Sequence, residues 1–220
     1  MSFMEKLLTD IERDTLQTAP ITGIKHIDKR VLNAIKNTDR KAFVRPQDSN
    51  LAYQDIPLEI GFSQTISQPF IVALMINLIE PQQQDKVLEV GSGSGYVTAV
   101  LSKLCREVFG IEVIAKLAER SQQTIKELNI TNVHIVSADG RVGLPSHAPF
   151  DKIIISAATH KLPDILLDQL AIGGILVFPK NLSPFEQMLV RIKKMSSCEF
   201  TLHDILPVRF VPLVNTCSSL

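Results

Sequence analysis

The feature that most constrains this chain is a glycine-rich turn between a strand pattern and a helix pattern, in VLEVGSGSGYVTAVL. The apolar run at 86–90 predicts a short strand, which leads directly through Gly91, Gly93 and Gly95 into a helical pattern. Glycine lets a backbone turn tightly and approach a ligand without an intervening side chain. The turn therefore indicates either a ligand-binding loop or an ordinary strand-to-helix connection.

Strand and helix patterns alternate strictly beyond this turn. Such alternation is typical of a parallel sheet covered by helices on both faces. The predicted strands are 107–111, 133–137, 151–156 and 173–178, and the predicted helices are 96–104, 114–128 and 163–170. Two long strand patterns, in 185–195 and 200–214, follow without helices, so we expect them to pair antiparallel at one edge of the sheet.

The segment before the turn has a helical character. Amphipathic patterns predict helices at 3–16 and 28–36, with Asp28 as the N-cap of the second. Residues 45–57 contain two prolines and no periodicity, which predicts a loop. The run at 70–79 is apolar nearly all round, so we expect a helix buried against the sheet.

Acidic residues close the next two predicted strands. Glu112 can accept hydrogen bonds from ribose hydroxyls, although a solvated acid at a strand end is the alternative. Asp139, followed by Gly140, can accept a hydrogen bond from an adenine amino group. The Gly-x-Gly-x-Gly spacing, with Glu89 two residues ahead, suits S-adenosylmethionine, which carries no phosphate, rather than a dinucleotide. These positions meet at the carboxyl edge of a parallel sheet, which predicts a site for that cofactor.

The stretch GFSQTISQPF at 61–70 raises a separate question about Ser67. Pro69 stands in the first turn of a predicted helix, so Ser67 or Gln68 is a natural N-cap. The alternative is that the Ser67 hydroxyl contacts a substrate. Both interpretations stay open at the level of the sequence.

Composition excludes several classes of function. Lys plus Arg and Asp plus Glu number 23 each, so the basic surplus typical of nucleic-acid binding is missing. The three cysteines are far apart and none pairs with a histidine at metal-ligand spacing, so we expect no structural metal, no disulfide scaffold and a cytoplasmic location. The longest apolar run, 70–79, is too short to span a bilayer, and the N-terminus lacks a secretory signal pattern.

Five stretches together resemble the protein-L-isoaspartate (D-aspartate) O-methyltransferase family. They are AYQDIPLEIGFSQTISQP, VLEVGSGSGY, ADGRVGLPSHAPFDKIIISAA, LLDQLAIGGILVFP and VRFVPLV, in the family's order over roughly residues 40–215. The resemblance implies a class I methyltransferase fold, an α/β, Rossmann-like, doubly wound and mostly parallel seven-stranded sheet with an N-terminal helical extension and an antiparallel C-terminal strand pair. It also implies methyl transfer from S-adenosylmethionine to the α-carboxylate of L-isoaspartyl residues in damaged proteins and peptides. The resulting ester then breaks down through a succinimide, which returns part of the material to aspartyl linkage.

The resemblance also implies roles for individual residues. The catalytic residue is Ser67, with Thr65 beside it. The implied cofactor-binding residues are Gly91, Ser92, Gly93, Gly95, Glu112, Asp139 and Gly140. The implied substrate-binding residues are Ala157, Ala158 and Val208. We expect a monomer without metal, acting on isoaspartyl proteins and peptides as one domain (1–220), with an N-terminal part at 1–80, a cofactor-binding core at 81–180 and C-terminal strands at 181–220.

Other interpretations stay open beside this one. A class I methyltransferase acting on a small molecule or an RNA base would keep the cofactor site, and a family member without turnover would act as a binding protein. The chain departs from the family pattern at Glu59, Ser63, 159–160 and 180–181. Arg209, in VRFVPLV, is either a strand-edge residue or a clamp for a carboxylate, and we favour the strand edge.

Overall fold

The computed structural model describes residues 2–214, and their helices and strands alternate largely as the sequence predicts. The helices are α1 (Phe3–Thr22), α2 (Lys29–Lys36), α3 (Pro69–Leu78), α4 (Tyr96–Leu101), α5 (Ala115–Glu127) and α6 (Asp164–Asp168). The strands are β1 (Leu58–Gly61), β2 (Gln64–Ile66), β3 (Lys86–Val90), β4 (Glu107–Glu112), β5 (Val133–Ser137), β6 (Phe150–Ile155), β7 (Leu170–Asn181), β8 (Gln187–Lys194) and β9 (Phe200–Val208).

Seven of these strands form one sheet in the order β5-β4-β3-β6-β7-β8-β9. The first five are parallel, and β8 and β9 each pair antiparallel with the strand before them. The strand order reverses between β3 and β6, the position at which open parallel sheets bind ligands. The predicted fold, with its antiparallel C-terminal pair, is confirmed.

Burial explains why the central strands form. β3, β4 and β6 are buried along nearly their whole length, as the almost continuous apolar runs of these segments predict. One hydrophobic cluster packs α1–α5 against one face of the sheet, and a second cluster packs α6 against the opposite face. The buried helix α3 belongs to the first cluster, where it packs against α1 and α2.

Several predicted boundaries were wrong. α4 ends at Leu101 rather than at residue 104, and others differ near prolines and glycines. α1 runs to Thr22 rather than to residue 16. Pro20 lies inside its last turn, and the helix ends only where Gly23 adopts a φ of 70°. The Gly23 N–H donates to the Ala19 carbonyl at 2.9 Å. β7 begins at Leu170 rather than 173, so the helix predicted for 163–170 shortens to α6.

Two further features differ from the prediction. β9 ends at Val208, and beyond it an isolated bridge from Pro212 to Ala158 is the remaining strand-like pairing among the described residues. The hairpin β1–β2 was not predicted. Its turn residues, Phe62 and Ser63, have φ angles of 55° and 56°, a geometry that glycine or asparagine usually supplies.

Within residues 2–214, no helix is both long and apolar enough to cross a membrane. The same residues contain no group of three His, Cys, Asp or Glu side chains that could hold a metal ion. Cys105 is buried and Cys198 exposed, and both are free thiols, whereas Cys217 lies outside the described residues.

Candidate active site

The glycine turn leaves the end of β3 at the reversal of strand order. Gly91, Gly93 and Gly95 have φ angles of 79°, 52° and 84°, in the left-handed region that favours glycine. The N–H groups of Gly91 and Ser92 both donate to the Ile111 carbonyl, at 2.8 and 2.9 Å, which fixes the turn against β4. The glycines are therefore required by the backbone itself.

Glu112 lies beside this turn at the end of β4 and is almost fully buried. Its Oε2 accepts a hydrogen bond from the Gly93 N–H at 2.8 Å, and its Oε1 accepts one from the Ile114 N–H at 2.9 Å. Burial raises the pKa of Glu112, and the backbone hydrogen bonds from Ile114 and Gly93 oppose that rise. Each carboxylate oxygen keeps a second lone pair that can accept from a ligand hydroxyl.

Two small cavities and one larger groove meet at the carboxyl edge of the sheet. The glycine cavity, about 40 Å³, is lined by Ile60, Gln64, Thr65, Val90, Gly91, Gly93, Ile111, Glu112, Val113, Gly140, Ser156, Ala157 and residues 211–214. The Glu89 cavity, about 30 Å³, is lined by Thr65, Ile66, Ser67, Glu89, residues 91–94, Tyr96, Val97 and Ser156. The outer groove, about 450 Å³, is lined by Pro57, Thr65, Ser67, Gln68, Ile71, Ser156 and residues 207–211. Thr65 and Ser156 line all three spaces, so they mark the junction.

Glu89 brings a buried carboxyl group to this junction. Its side chain is 1% exposed, and its Oε1 accepts a hydrogen bond from the Ser156 hydroxyl at 2.8 Å. Burial raises the pKa of Glu89 to about 8, against smaller opposing effects of Ser156 and Thr98. Among the described residues 2–214, Glu89 Oε2 and Ser92 Oγ have no partner of hydrogen-bond geometry although both atoms are buried, which is unusual for polar atoms and suits a site for a polar ligand.

The Ser67 hydroxyl is not the cap of α3. The carboxylate of Asp55 caps this helix instead, accepting from the Phe70 N–H at 2.7 Å and from the Gln68 side-chain amide at 2.9 Å. Gln68 occupies the N-cap position without a side-chain capping bond. The half-buried Ser67 makes no side-chain hydrogen bond to any residue in 2–214, so its hydroxyl is free to contact a substrate in the outer groove.

Arg40 holds the backbone behind Ser67, a role that the sequence analysis missed. Its side chain is fully buried, and its guanidinium donates to the carbonyl of Ser67 at 3.0 Å. The other acceptors are the carbonyls of Ala52, Gln54 and Ile56, at 2.9, 3.3 and 3.0 Å. Burial lowers the pKa of Arg40 to about 10, so the group stays charged at neutral pH. No local pattern in the sequence marks such a tertiary contact.

The comparisons with known proteins agree with this geometry. The model of the family described as protein-L-isoaspartate(D-aspartate) O-methyltransferase (PCMT) matches residues 16–218. This chain belongs to that family.

Relatives in the family align over most of the chain. A protein-L-isoaspartate O-methyltransferase of Ruegeria pomeroyi is 46% identical over 188 residues, which cover 86% of this chain and 87% of the relative. A protein-L-isoaspartate O-methyltransferase 2 of Nitrosococcus oceani is 41% identical over 215 residues, 98% of each chain. A solved Plasmodium falciparum structure, described as a protein-L-isoaspartate O-methyltransferase in complex with S-adenosyl-L-homocysteine, has a TM-score of 0.80 and 26% identity, covering 97% of this chain and 99% of its own.

Most of the site residues expected from the resemblance to this family come together in the structure. The glycine cavity gathers Thr65, Gly91, Gly93, Glu112, Gly140 and Ala157. The Glu89 cavity contains Ser92, and the outer groove contains Ser67 and Val208.

Three expected residues lie outside these linings. A Cβ on Gly95 would approach the Ser121 Cβ to 3.1 Å, so this glycine allows close packing on α5. The carboxylate of Asp139 is paired with the guanidinium of Arg141 and lines none of the three spaces. The backbone of Ala158 holds the C-terminal segment, through bonds of 2.8 Å to Val211 and Leu213.

The departures from the family pattern also lie away from the outer groove. The carboxylate of Glu59 pairs with Arg45 at 3.0 Å. Thr159 and Lys180 form an isolated bridge, which places the two C-terminal departures side by side. Neither Glu59, His160 nor Lys180 lines the groove.

Proposed function

We propose that this chain transfers a methyl group from S-adenosylmethionine to the α-carboxylate of L-isoaspartyl residues in damaged proteins and peptides. The observation that carries the proposal is the junction of Thr65 and Ser156, where the outer groove meets the two cavities beside the free hydroxyl of Ser67. Membership of the family supports the same reaction. The groove would hold the peptide and the two cavities the cofactor.

The residues present fit such a cofactor. Gly91 and Gly93 allow close backbone approach, Glu112 offers acceptors for ribose hydroxyls, and the unpartnered oxygen of Glu89 can pair with a polar or cationic group. When bound, the cofactor supplies a methyl group on a sulfonium sulfur.

The residues of the chain position and partly desolvate the acceptor. A carboxylate is already ionised near pH 7, so the reaction needs no general base. The hydroxyl of Ser67 donates one hydrogen bond, which orients the carboxylate without neutralising it, and Thr65 offers a second donor. A lysine or arginine at these positions would bind the anion more tightly and reduce its reactivity. Alignment of the reacting groups is therefore the main contribution of this segment.

One assay tests the proposal. The protein is incubated with methyl-labelled S-adenosylmethionine and a matched pair of peptides that differ only in an isoaspartyl or an aspartyl linkage. We expect base-labile methylation of the isoaspartyl peptide alone. Equal methylation of both peptides would point to a different methyltransferase. Cofactor binding without transfer to either peptide would point to a binding protein, and both results would overturn the proposal.

We also propose that the chain acts as a cytoplasmic monomer, forms one domain and has no nucleic-acid partner. The sheet that runs from β5 to β9 supports a single domain, and the zero net charge supports the lack of a nucleic-acid partner. Light scattering after size-exclusion chromatography should give a mass near 24.4 kDa. A mass of twice that value would contradict the monomer.

A further inference from the structure

We propose that Arg209 makes the outer groove prefer isoaspartyl sites that have an acidic side chain nearby in the substrate. This inference rests on the proposed function, since it assigns the groove to the peptide. The proposed function concerns the damaged residue itself, and this inference adds a preference for the residues next to it in the substrate.

The charge distribution of the groove carries the inference. Among residues 2–214, Arg209 is the one charged side chain that lines the groove, and the other lining residues are hydroxyl, amide and apolar. Its side chain is exposed and makes no hydrogen bond or ion pair to any residue in 2–214. An isolated guanidinium in a peptide-sized groove is available for a carboxylate of the substrate.

Hydrogen bonds hold the backbone that follows Arg209. The side chain of Gln187 accepts from the Phe210 N–H at 2.6 Å and donates to the Phe210 carbonyl at 3.2 Å. The next residue, Val211, accepts from the Ala158 N–H at 2.8 Å. Arg209 therefore extends from an ordered segment, so little backbone entropy is lost when its side chain pairs with a ligand.

The partner of Arg209 is not the carboxylate that receives the methyl group. That carboxylate must lie where the groove meets the cofactor cavities, at Thr65 and Ser156. Arg209 lines the groove but neither cavity, which places its charge away from this junction. A second carboxylate, on a neighbouring substrate residue, suits the planar fork of a guanidinium.

The size and kinetic form of the effect follow from this position. An exposed ion pair contributes little, so we expect a preference of about 1.5- to fivefold in kcat/KM. The contact is remote from the reacting atoms and equally strong before and during methyl transfer. The preference should therefore appear in KM while kcat stays unchanged.

The experiment uses isoaspartyl peptides that differ from one another at a single position. That position is one of the two residues before or the two residues after the damaged residue, and it carries Glu, Gln or Lys. Wild-type protein is compared with Arg209→Gln, Arg209→Lys and Arg209→Glu. Arg106→Gln is the matched control, because Arg106 is also exposed and precedes β4 at the opposite end of the sheet. Both glutamine variants remove one positive charge, so only the position of that charge differs.

For wild type we expect a lower KM for Glu than for Gln at one or more positions. Arg209→Gln should abolish this difference in KM, and Arg209→Lys should retain part of it. Arg209→Glu should give a lower KM for the Lys peptides than for the Gln peptides. Arg106→Gln should leave the wild-type difference unchanged. The inference is overturned if the ratio between Glu and Gln peptides is the same in wild type and Arg209→Gln. Failure of wild type to methylate the Gln peptides at all would instead contradict the proposed function.

Discussion

Ser156 donates a hydrogen bond of 2.8 Å from its hydroxyl to Oε1 of Glu89. Glu89 belongs to β3, and Ser156 directly follows β6, so the bond joins the two strands between which the strand order reverses. Both residues line the Glu89 cavity, and the carboxyl group of Glu89 is almost completely buried. The protonation state of Glu89 therefore affects both the stability of the fold and the charge within the site.

The first prediction concerns the dependence of stability on pH. Burial raises the pKa of Glu89 from 4.5 to about 8, so the folded protein binds this proton more tightly than the unfolded chain. Its contribution to the free energy of unfolding should therefore fall as the pH rises from about 4.5 to 8. Glu89→Gln removes this titration, so wild type should lose stability relative to the variant across that range.

Urea unfolding of both proteins at a series of pH values measures this effect. Glu119→Gln, at an exposed position on α5, is the control and should change with pH as wild type does. Curves for wild type and Glu89→Gln that run parallel from pH 5 to 8 would show that Glu89 does not titrate there.

The second prediction concerns the buried guanidinium behind Ser67. Arg40→Lys keeps the charge but lacks the planar fork that reaches four carbonyl groups. We expect the free energy of unfolding to fall by about 2–3 kcal/mol, since hydrogen bonds from charged donors contribute about 1.5–3 kcal/mol each. Urea unfolding compares this variant with Arg106→Lys, at an exposed position whose side chain makes no hydrogen bond to any residue in 2–214, which should change by less than about 0.5 kcal/mol. Equal losses in the two variants would argue against a structural role for Arg40.

The third prediction concerns the turn of the hairpin β1–β2. Ser63 has a φ of 56°, which costs about 1–2 kcal/mol for a residue with a side chain. Ser63→Gly relieves this cost, but part of the gain is offset because glycine loses more conformational entropy on folding. We expect a net gain of about 0.5–1 kcal/mol and a melting temperature higher by about 1–4 °C.

Thermal unfolding of Ser63→Gly beside Ser49→Gly separates this effect from a general effect of glycine. Ser49 has a φ of −59°, so glycine should lower the melting temperature there. A decrease in both variants would mean that the positive φ of Ser63 carries no measurable strain.

The sequence predicted the parallel core well because its strands are short, apolar and separated by clear helical patterns. β3 and β5 have the predicted boundaries, and the glycine turn follows β3 as expected. The hairpin β1–β2 was missed, since its strands have four and three residues and its turn is Phe62-Ser63 rather than a glycine-containing pair. Local periodicity cannot reveal a hairpin of this kind.

The candidate site was predictable in part, for a similar reason. The glycine turn and Glu112 lie at strand ends, where the sequence pattern alone places them on one edge of the sheet. The state of the Ser67 hydroxyl depends instead on Asp55, a residue of a different segment that caps α3 in its place. The sequence offered a cap and a substrate contact as alternatives for Ser67, and the contact with Asp55 removes the first.

The most direct test of the account is the rate of methyl transfer by Ser67→Ala in a single turnover with an isoaspartyl peptide. Because the cap of α3 is Asp55, the variant should keep its melting temperature and its affinity for S-adenosylhomocysteine. Loss of a hydrogen bond to a charged group predicts a rate about 10- to 150-fold lower than that of wild type. Ser63→Ala, at an exposed position outside the groove lining, is the control and should keep the wild-type rate. An unchanged rate in Ser67→Ala would contradict the central claim that this hydroxyl orients the substrate carboxylate.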